Sequence, residues 1–193
     1  MSSEEQNDKQ QQILAAAEKL IAESGFQGLS MSKLAKEAGV AAGTIYRYFD
    51  DKEHLLDELR LRITQRVATA IQANVTRDMP LKQQYRTMWL NTWNLAASNL
   101  STLSNRIQYE SLPCSNSHKT RELEKKMFHQ VALMFDMGKE QGVFKTLDNE
   151  ILFGLSLETS VRLAKKHALG FYQLDDKALD AAIDASWDAI INH

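Results

Sequence analysis

The side chains best suited to chemistry in this sequence lie close together. Gly43, Thr44, Tyr46 and Arg47 fall within five consecutive positions, and Lys52 follows five residues later. Thr and Tyr hydroxyls donate to phosphate oxygens, and an Arg guanidinium forks onto a guanine edge or a phosphate. A glycine lets a helix backbone come close to a sugar-phosphate chain. Lys52 is placed to pair with a phosphate. Ser32, Lys33 and Tyr48 add hydroxyls and a cation to the same set, and the Ala42 methyl suits a thymine methyl. This is the chemistry of reading a nucleic acid. For catalysis the chain lacks a nucleophile elbow, a Gly-rich phosphate loop and metal-ligand spacing. Its five His residues are scattered without an i, i+4 pair, so no metal, no cofactor and no enzymatic activity are expected.

These side chains need a scaffold, and the pattern around them supplies one. Apolar residues at 13, 14, 17, 20 and 21 form a helical stripe that Gly25 ends. Ser30 stands where an N-cap belongs, ahead of a second helix through Ala38. Gly39 makes the turn, and a third short helix is predicted over 42–49. Two helices crossing at about 90–120° need a small residue at closest approach, which Ala35 supplies. Leu34, Val40, Ile45 and Tyr48 plug the wedge. Asp50 and Asp51 can cap a fourth helix to about Asn74, with Glu53 as the capping-box partner of Asp50. The residues up to about Asp8 read as an unstructured polar tail. Spacing alone fits any helical hairpin; the outward-facing Gly43, Thr44, Tyr46 and Arg47 favour a DNA-reading one.

The run from Ile13 to Leu56 resembles the DNA-binding domain of the TetR family of transcriptional regulators. The residues that carry the likeness are Ile13 to Ala17, Gly25-Phe26, Leu34-Ala35, Ala38-Gly39-Val40 and Gly43 to Tyr46. Tyr48-Phe49, Lys52-Glu53 and Leu55-Leu56 complete it. The resemblance implies phosphate or base contacts for Thr44 and Tyr46, and a phosphate contact for Lys52. It also implies a ligand-responsive repressor of double-stranded DNA, a homodimer on a pseudo-palindromic operator. Two departures matter. Ala41 and Ala42 stand where the family often has a hydroxyl and a longer polar residue, which removes a cap and a possible base contact. Lys9 and three Gln stand where a leading Arg is common, which weakens contacts from that end.

The remainder reads as a larger helical bundle. The fold class is therefore all-α: a three-helix helix-turn-helix domain over 9–56, then a ligand-binding and dimerisation domain over 57–193. Predicted helices run from Pro80 to about Ser98, from His118 to Gln141, from Asp148 to Ala168 and from Asp175 to Ile191. Tyr85, Met88, Trp89 and Trp93 share one helix face, and Phe128, Met134 and Phe135 lie on the long helix. Such a stripe reads either as plain core or as the wall of an effector pocket, with Arg106 and Tyr109 as polar partners. Arg106 can also simply pair with Glu110. Cys114 beside Pro113 is a weak redox candidate, with no basic neighbour in sequence to activate it.

The last helix carries two stripes. Ala178, Ala182, Ala185 and Ala189 form one; Leu179, Ile183 and Ile190, with Trp187 near by, form the other. One can face the core, which leaves the second for a partner, together with Leu155, Glu158 and Arg162 on the preceding helix. Glu158 and Arg162 are four apart and read as an ion pair at that interface. By resemblance, the last two helices of each subunit form the dimer contact. Two recognition helices would then sit one or more DNA turns apart, about 34–36 Å for one turn.

Charge sets a limit on this reading. The 193 residues hold 23 Lys+Arg against 25 Asp+Glu, a formal net charge of −2, which excludes a protein that coats nucleic acid by charge alone. Residues 1–60 hold seven basic and eleven acidic groups, but residues 9–49 hold five basic and three acidic. A small local positive face remains, with Lys33, Lys36 and Arg47 around the reader. A non-DNA adaptor using the same domain is the alternative that the net charge keeps open. One cysteine suits a reducing compartment. Neither a secretory leader nor a membrane span of about 20 apolar residues is expected, so the cytoplasm is the expected location.

Overall fold

The computed structural model describes residues 3–97 and 118–193. They form two compact units. One comprises the described residues up to Thr64 together with 118–124; the other comprises 65–97 and 125–193. All regular structure among the described residues is helical, apart from one isolated β-bridge, so the all-α class holds.

The first unit contains α1 (Ser3–Ser24), a single 3-10 turn (Phe26–Gly28), α2 (Met31–Glu37), α3 (Ala42–Tyr46) and the beginning of α4 (Lys52–Ile71). Helix α1 starts at Ser3, so the tail expected to be unstructured up to Asp8 is helical instead. No Gly or Pro interrupts it, and Gln and Lys are good helix formers. Tertiary bonds also hold this end. Gln12 Nε2 donates to the Ala38 carbonyl at 2.7 Å, and Arg62 donates to the Gln11 carbonyl at 3.1 Å. Ile13, Leu14, Ala17 and Ile21 form the buried stripe of α1, packed with Leu34, Ala35, Ile45, Phe49, Leu55 and Leu59. Each fully buried aliphatic side chain contributes roughly 1.5–3 kcal/mol relative to exposure.

The punctuation works as read, with one shift. Gly25 (φ 72°) and Gly39 (φ 63°) take the left-handed conformation that ends α1 and turns α2 into α3. Ser30 Oγ accepts from the Lys33 amide at 3.3 Å. The α4 cap is Asp51, whose Oδ1 accepts from the His54 amide at 2.8 Å. Because the helix begins at Lys52, the third helical position is His54 and not Glu53. His54 Nδ1 accordingly accepts from the Asp50 amide at 3.2 Å, in place of the expected Asp50–Glu53 box.

The second unit contains the end of α4, then α5 (Leu81–Ala97), the end of α6 (His118–Met127) and α7 (His129–Glu140). It continues with α8 (Asn149–Leu155), α9 (Leu157–Ala168) and α10 (Asp176–Asp188). Helices α5 and α9 pack along each other. Rings interlock through the core: Tyr85 on Trp187 (5.1 Å), Trp187 on Phe144 (5.1 Å) and Phe144 on Phe135 (6.0 Å), all edge-on. Asp175 caps α10 through the Ala178 amide at 2.8 Å. Helix α10 stops at Asp188, short of the expected Ile191, because residues 190–192 pair with 143–145. Lys145 N donates to Ile190 O and Asn192 N to Val143 O, each at 2.9 Å.

Two predicted long helices are each broken in two. The helix expected over 118–141 is interrupted at Phe128 (φ −95°, ψ 25°). The cause is Gln72, the residue after α4. Its Nε2 donates to Met127 O at 2.8 Å, and its Oε1 accepts from Gln130 N at 2.8 Å, so the amide takes the place of a turn of helix. The helix expected over 148–168 breaks at Ser156 (φ −124°, ψ −87°). Buried hydroxyls satisfy the carbonyls there: Ser156 Oγ donates to Leu152 O (2.5 Å), and Ser160 Oγ to Leu157 O (2.6 Å). Helix α4 also ends early, at Ile71. Asn91 Nδ2 takes the Ile71 and Ala73 carbonyls at 3.0 and 2.8 Å, and Asn74 turns the chain at φ 60°.

Candidate nucleic-acid interface

Helix α3 is five residues long, not the eight expected, and it has one buried anchor. Ile45 is fully buried, and Phe49 beyond the helix is its second plug. That leaves Ala42, Gly43 and Tyr46 outward, with Tyr46 54% exposed despite its size. Ala41 precedes the helix in an extended conformation with no side-chain cap, as its methyl dictates. The Thr44 amide bonds to the Ala41 carbonyl at 2.9 Å instead.

Arg47 follows the last helical residue. Its guanidinium carbon lies 5.3 Å from the centre of the Tyr48 ring, and its Nη2 donates to the Tyr48 hydroxyl at 3.4 Å. Tyr48 is half-buried against the core, so it serves as a platform that orients Arg47.

The other cations converge on the turn before α2. Lys33 Nζ donates to the Gly28 carbonyl at 3.3 Å. Lys52 Nζ donates to the Leu29 carbonyl at 2.9 Å and lies 4.8 Å over the Phe26 ring. Ser32 Oγ lies 3.3 Å from Ser30 Oγ. Lys19 on α1 pairs with Glu37 on α2 at 2.6 Å, which raises the Lys19 pKa through that hydrogen bond. Gln12, Arg62 and His54 were not singled out by sequence reasoning. Their signal lies in partners 26 and 51 residues away for Gln12 and Arg62, and in a one-residue shift of the α4 start for His54.

In the second unit the expected effector residues are core. Tyr85, Met88, Trp89, Trp93, Met134 and Phe135 are buried in one cluster, while Phe128 is half-buried at the α6–α7 break. Tyr85 Oη lies 2.7 Å from Ser186 Oγ, and burial pushes the phenol pKa far above its usual value. Trp89 stacks on Trp93 with centroids 5.8 Å apart, and Trp93 meets His167 at 5.3 Å. Arg106, Tyr109, Glu110 and Cys114 lie outside the described residues.

The two α10 stripes differ in burial, although Leu179 is only half-buried and Ala182 also packs on the core. Ile183, Trp187 and Ile190 are buried. Ala178, Ala182 and Ala189 are half-buried, and Ala185 is exposed. On α8 and α9, Leu155 (45% exposed) lies near Ile151, and Glu158 and Arg162 face solvent. No ion pair joins Glu158 to Arg162, contrary to the sequence reading. No described helix is long and apolar enough to cross a membrane, and no metal-binding cluster occurs among the described residues.

Comparison with known proteins agrees with this architecture in both units. Residues 13–59 match the family profile "Bacterial regulatory proteins, tetR family", and residues 80–191 match "Tetracyclin repressor-like, C-terminal domain". An HTH-type transcriptional regulator of Haemophilus influenzae is 37% identical over 188 residues, covering 95% of this chain and 96% of that protein. The structure of a TetR-family protein from Vibrio parahaemolyticus is 66% identical with a TM-score of 0.87, covering 96% of this chain and 99% of that one. Bacillus subtilis FadR, solved with stearoyl-CoA, shares the fold with a TM-score of 0.67 at 21% identity, covering 93% and 98%.

Proposed function

Because this chain belongs to the TetR family and is an HTH-type transcriptional regulator, we propose that it is a homodimeric repressor released from its operator by a small hydrophobic or amphipathic effector. The observation that carries the DNA-reading part is the α3 surface. Ile45 and Phe49 are spent on the core, so Ala42, Gly43, Thr44, Tyr46 and Arg47 are left to face a duplex. Thr44 and Tyr46 contact phosphates or base edges. Arg47, braced on Tyr48, reads a guanine edge. Ser32, Lys33 and Lys52 flank the reader; Lys33 keeps N–H donors for a phosphate beyond the one given to Gly28, while Lys52, held first on the Leu29 carbonyl, makes only a partial phosphate contact. We take residues 9–56 as the reader and 57–193 as the effector and dimerisation part. The dimer contact uses Leu155, Glu158 and Arg162 with the Ala178, Ala182, Ala185 and Ala189 stripe, since Ile183, Trp187 and Ile190 of the opposite stripe are buried. The effector enters among Tyr85, Met88, Trp89, Trp93, Phe128, Met134 and Phe135, with Arg106 and Tyr109. No catalytic step is assigned, and the protein acts in the cytoplasm.

Fluorescence anisotropy with the DNA upstream of its own gene tests the reading. Salt-sensitive binding to one sequence is the expected result; absence of any specific complex, there or with a selected operator pool, sinks it. Arg47→Ala is expected to cost about 1–3 kcal/mol in specific binding and much less in non-specific binding. An equal loss in both would reduce Arg47 to a phosphate anchor.

A further inference from the structure

Besides Trp93, the buried face of α5 holds four side chains with polar atoms, and three of them have found partners. Gln84 Nε2 donates to Met79 O at 2.8 Å, and Thr92 Oγ1 donates to Met88 O at 2.7 Å. Ser186 Oγ donates to Ile183 O at 2.9 Å, so in the 2.7 Å contact between Tyr85 and Ser186 the phenol is the donor. Trp89 is the exception. It is fully buried, and its Nε1 has no acceptor among the described residues. Native interiors seldom leave a donor in that condition, because its lost hydration is not replaced.

We propose that the Trp89 indole N–H is the polar handle of the effector site, and that the effector presents to it an uncharged carbonyl oxygen carried on an apolar body. The inference rests on the proposed effector-binding role of this unit and narrows the class of molecule. Three observations fix that class. An indole N–H only donates, so the ligand atom must be an acceptor. The buried polar side chains among the described residues are Gln84, Thr92, Thr120, Ser156, Ser160 and Ser186, none of them ionised. A carboxylate brought beside Trp89 would be desolvated with no cation among the buried described residues to meet it, and Arg106 can be taken up by Glu110 four positions on. A ketone, ester, thioester or amide oxygen meets the donor without that cost. The surroundings are apolar: Trp93 stacks on Trp89 at an interplanar angle of 9°, and Met88 and Met134 belong to the same cluster. Thioether side chains are unbranched and repack around an entering group more readily than Leu or Ile.

The test uses the full-length, ligand-free protein labelled with nitrogen-15. The chain has three tryptophans, so it gives three indole N–H resonances, and loss of one in Trp89→Phe assigns it. Three probes of matched length are added: 2-undecanone, undecanoate and n-undecane. The expected result is a downfield shift of the Trp89 indole proton with the ketone, absent with the hydrocarbon and the acid. Trp89→Phe is expected to weaken the ketone about 5–10-fold and leave the hydrocarbon within about twofold, the loss of one hydrogen bond. The proposal is overturned if the Trp89 proton is already hydrogen-bonded to water in the free protein, or if neither the ketone nor its ester and amide analogues move it. The spectrum of the wild-type chain decides this even if Trp89→Phe fails to fold. Operator release is measured separately. A ketone that shifts Trp89 without releasing DNA leaves this inference standing and defeats the repressor reading. A compound that releases DNA without touching Trp89 does the reverse.

Discussion

Replacing Lys52 by Met separates two roles that one lysine can play. The ammonium donates to Leu29 O at 2.9 Å and lies 4.8 Å over the Phe26 ring. Methionine keeps a stem of similar length and its packing, and removes only the charged head. A charge-assisted bond to a carbonyl is worth about 1.5–3 kcal/mol, taken at the low end because Lys52 is only half-buried. The cation–π contact adds about 0.5–1 kcal/mol. Against this, Lys52 is the first residue of α4, where a cation opposes the helix dipole, so removing it returns about 0.5 kcal/mol. The net expectation is a loss of about 1.5–2 kcal/mol of stability per subunit. Urea unfolding should show it as a lower midpoint at unchanged slope. On DNA the log–log salt slope is expected to change by less than about 0.5. A lysine acting chiefly on a phosphate would behave oppositely: leaving one phosphate un-neutralised lowers the slope by about 0.9, hence about 1.8 for a dimer. Unchanged stability with a slope reduced by about 1.8 would refute the anchoring role.

Other perturbations test the rest of the molecule. Gly138→Ala places a methyl against the Phe144 ring, which is fully buried between Phe135 and Trp187. Overpacking of about 2–3 kcal/mol is expected to outweigh the roughly 1 kcal/mol of helix propensity gained, and urea unfolding measures the balance. Gln72→Leu strips the partners from Met127 O and Gln130 N, so stability should fall by about 2 kcal/mol and the Gln130 amide should exchange faster in deuterium oxide. Burial raises the Tyr85 pKa in the folded chain, so its contribution is complete below the unfolded phenol value near 10 and is lost progressively as pH rises above it. Tyr85→Phe should therefore flatten the fall in stability measured above about pH 10, and an unchanged alkaline limb would show that other groups govern it.

Local signals in the sequence were read correctly where cause and effect are neighbours. Ser30 and Asp175 cap helices because a short side-chain oxygen reaches an amide three residues on. Gly25 and Gly39 turn the chain because a glycine lacks the Cβ that opposes positive φ. The buried stripe of α1 follows from a period of 3.6. The helix breaks at Phe128 and Ser156 had no such signal. Neither position is Gly or Pro, and the group that opens the first break, Gln72, lies 55 residues from Met127.

The amino-acid pattern by itself thus determined the helical class, the reader's register and which face of α3 looks outward, since these depend on side-chain period and backbone conformational preference. Only the tertiary structure decided how the polar groups are used. It turned two lysines near the reader onto backbone carbonyls. It assigned Ile183, Trp187 and Ile190 to the core, which leaves the alanines of α10 as the more exposed stripe, with Ala185 itself exposed. It also left the buried Trp89 indole on α5 without a partner among the described residues. Hydrogen bonding and burial depend on what long-range packing brings within about 3 Å, and spacing along one chain does not encode that distance.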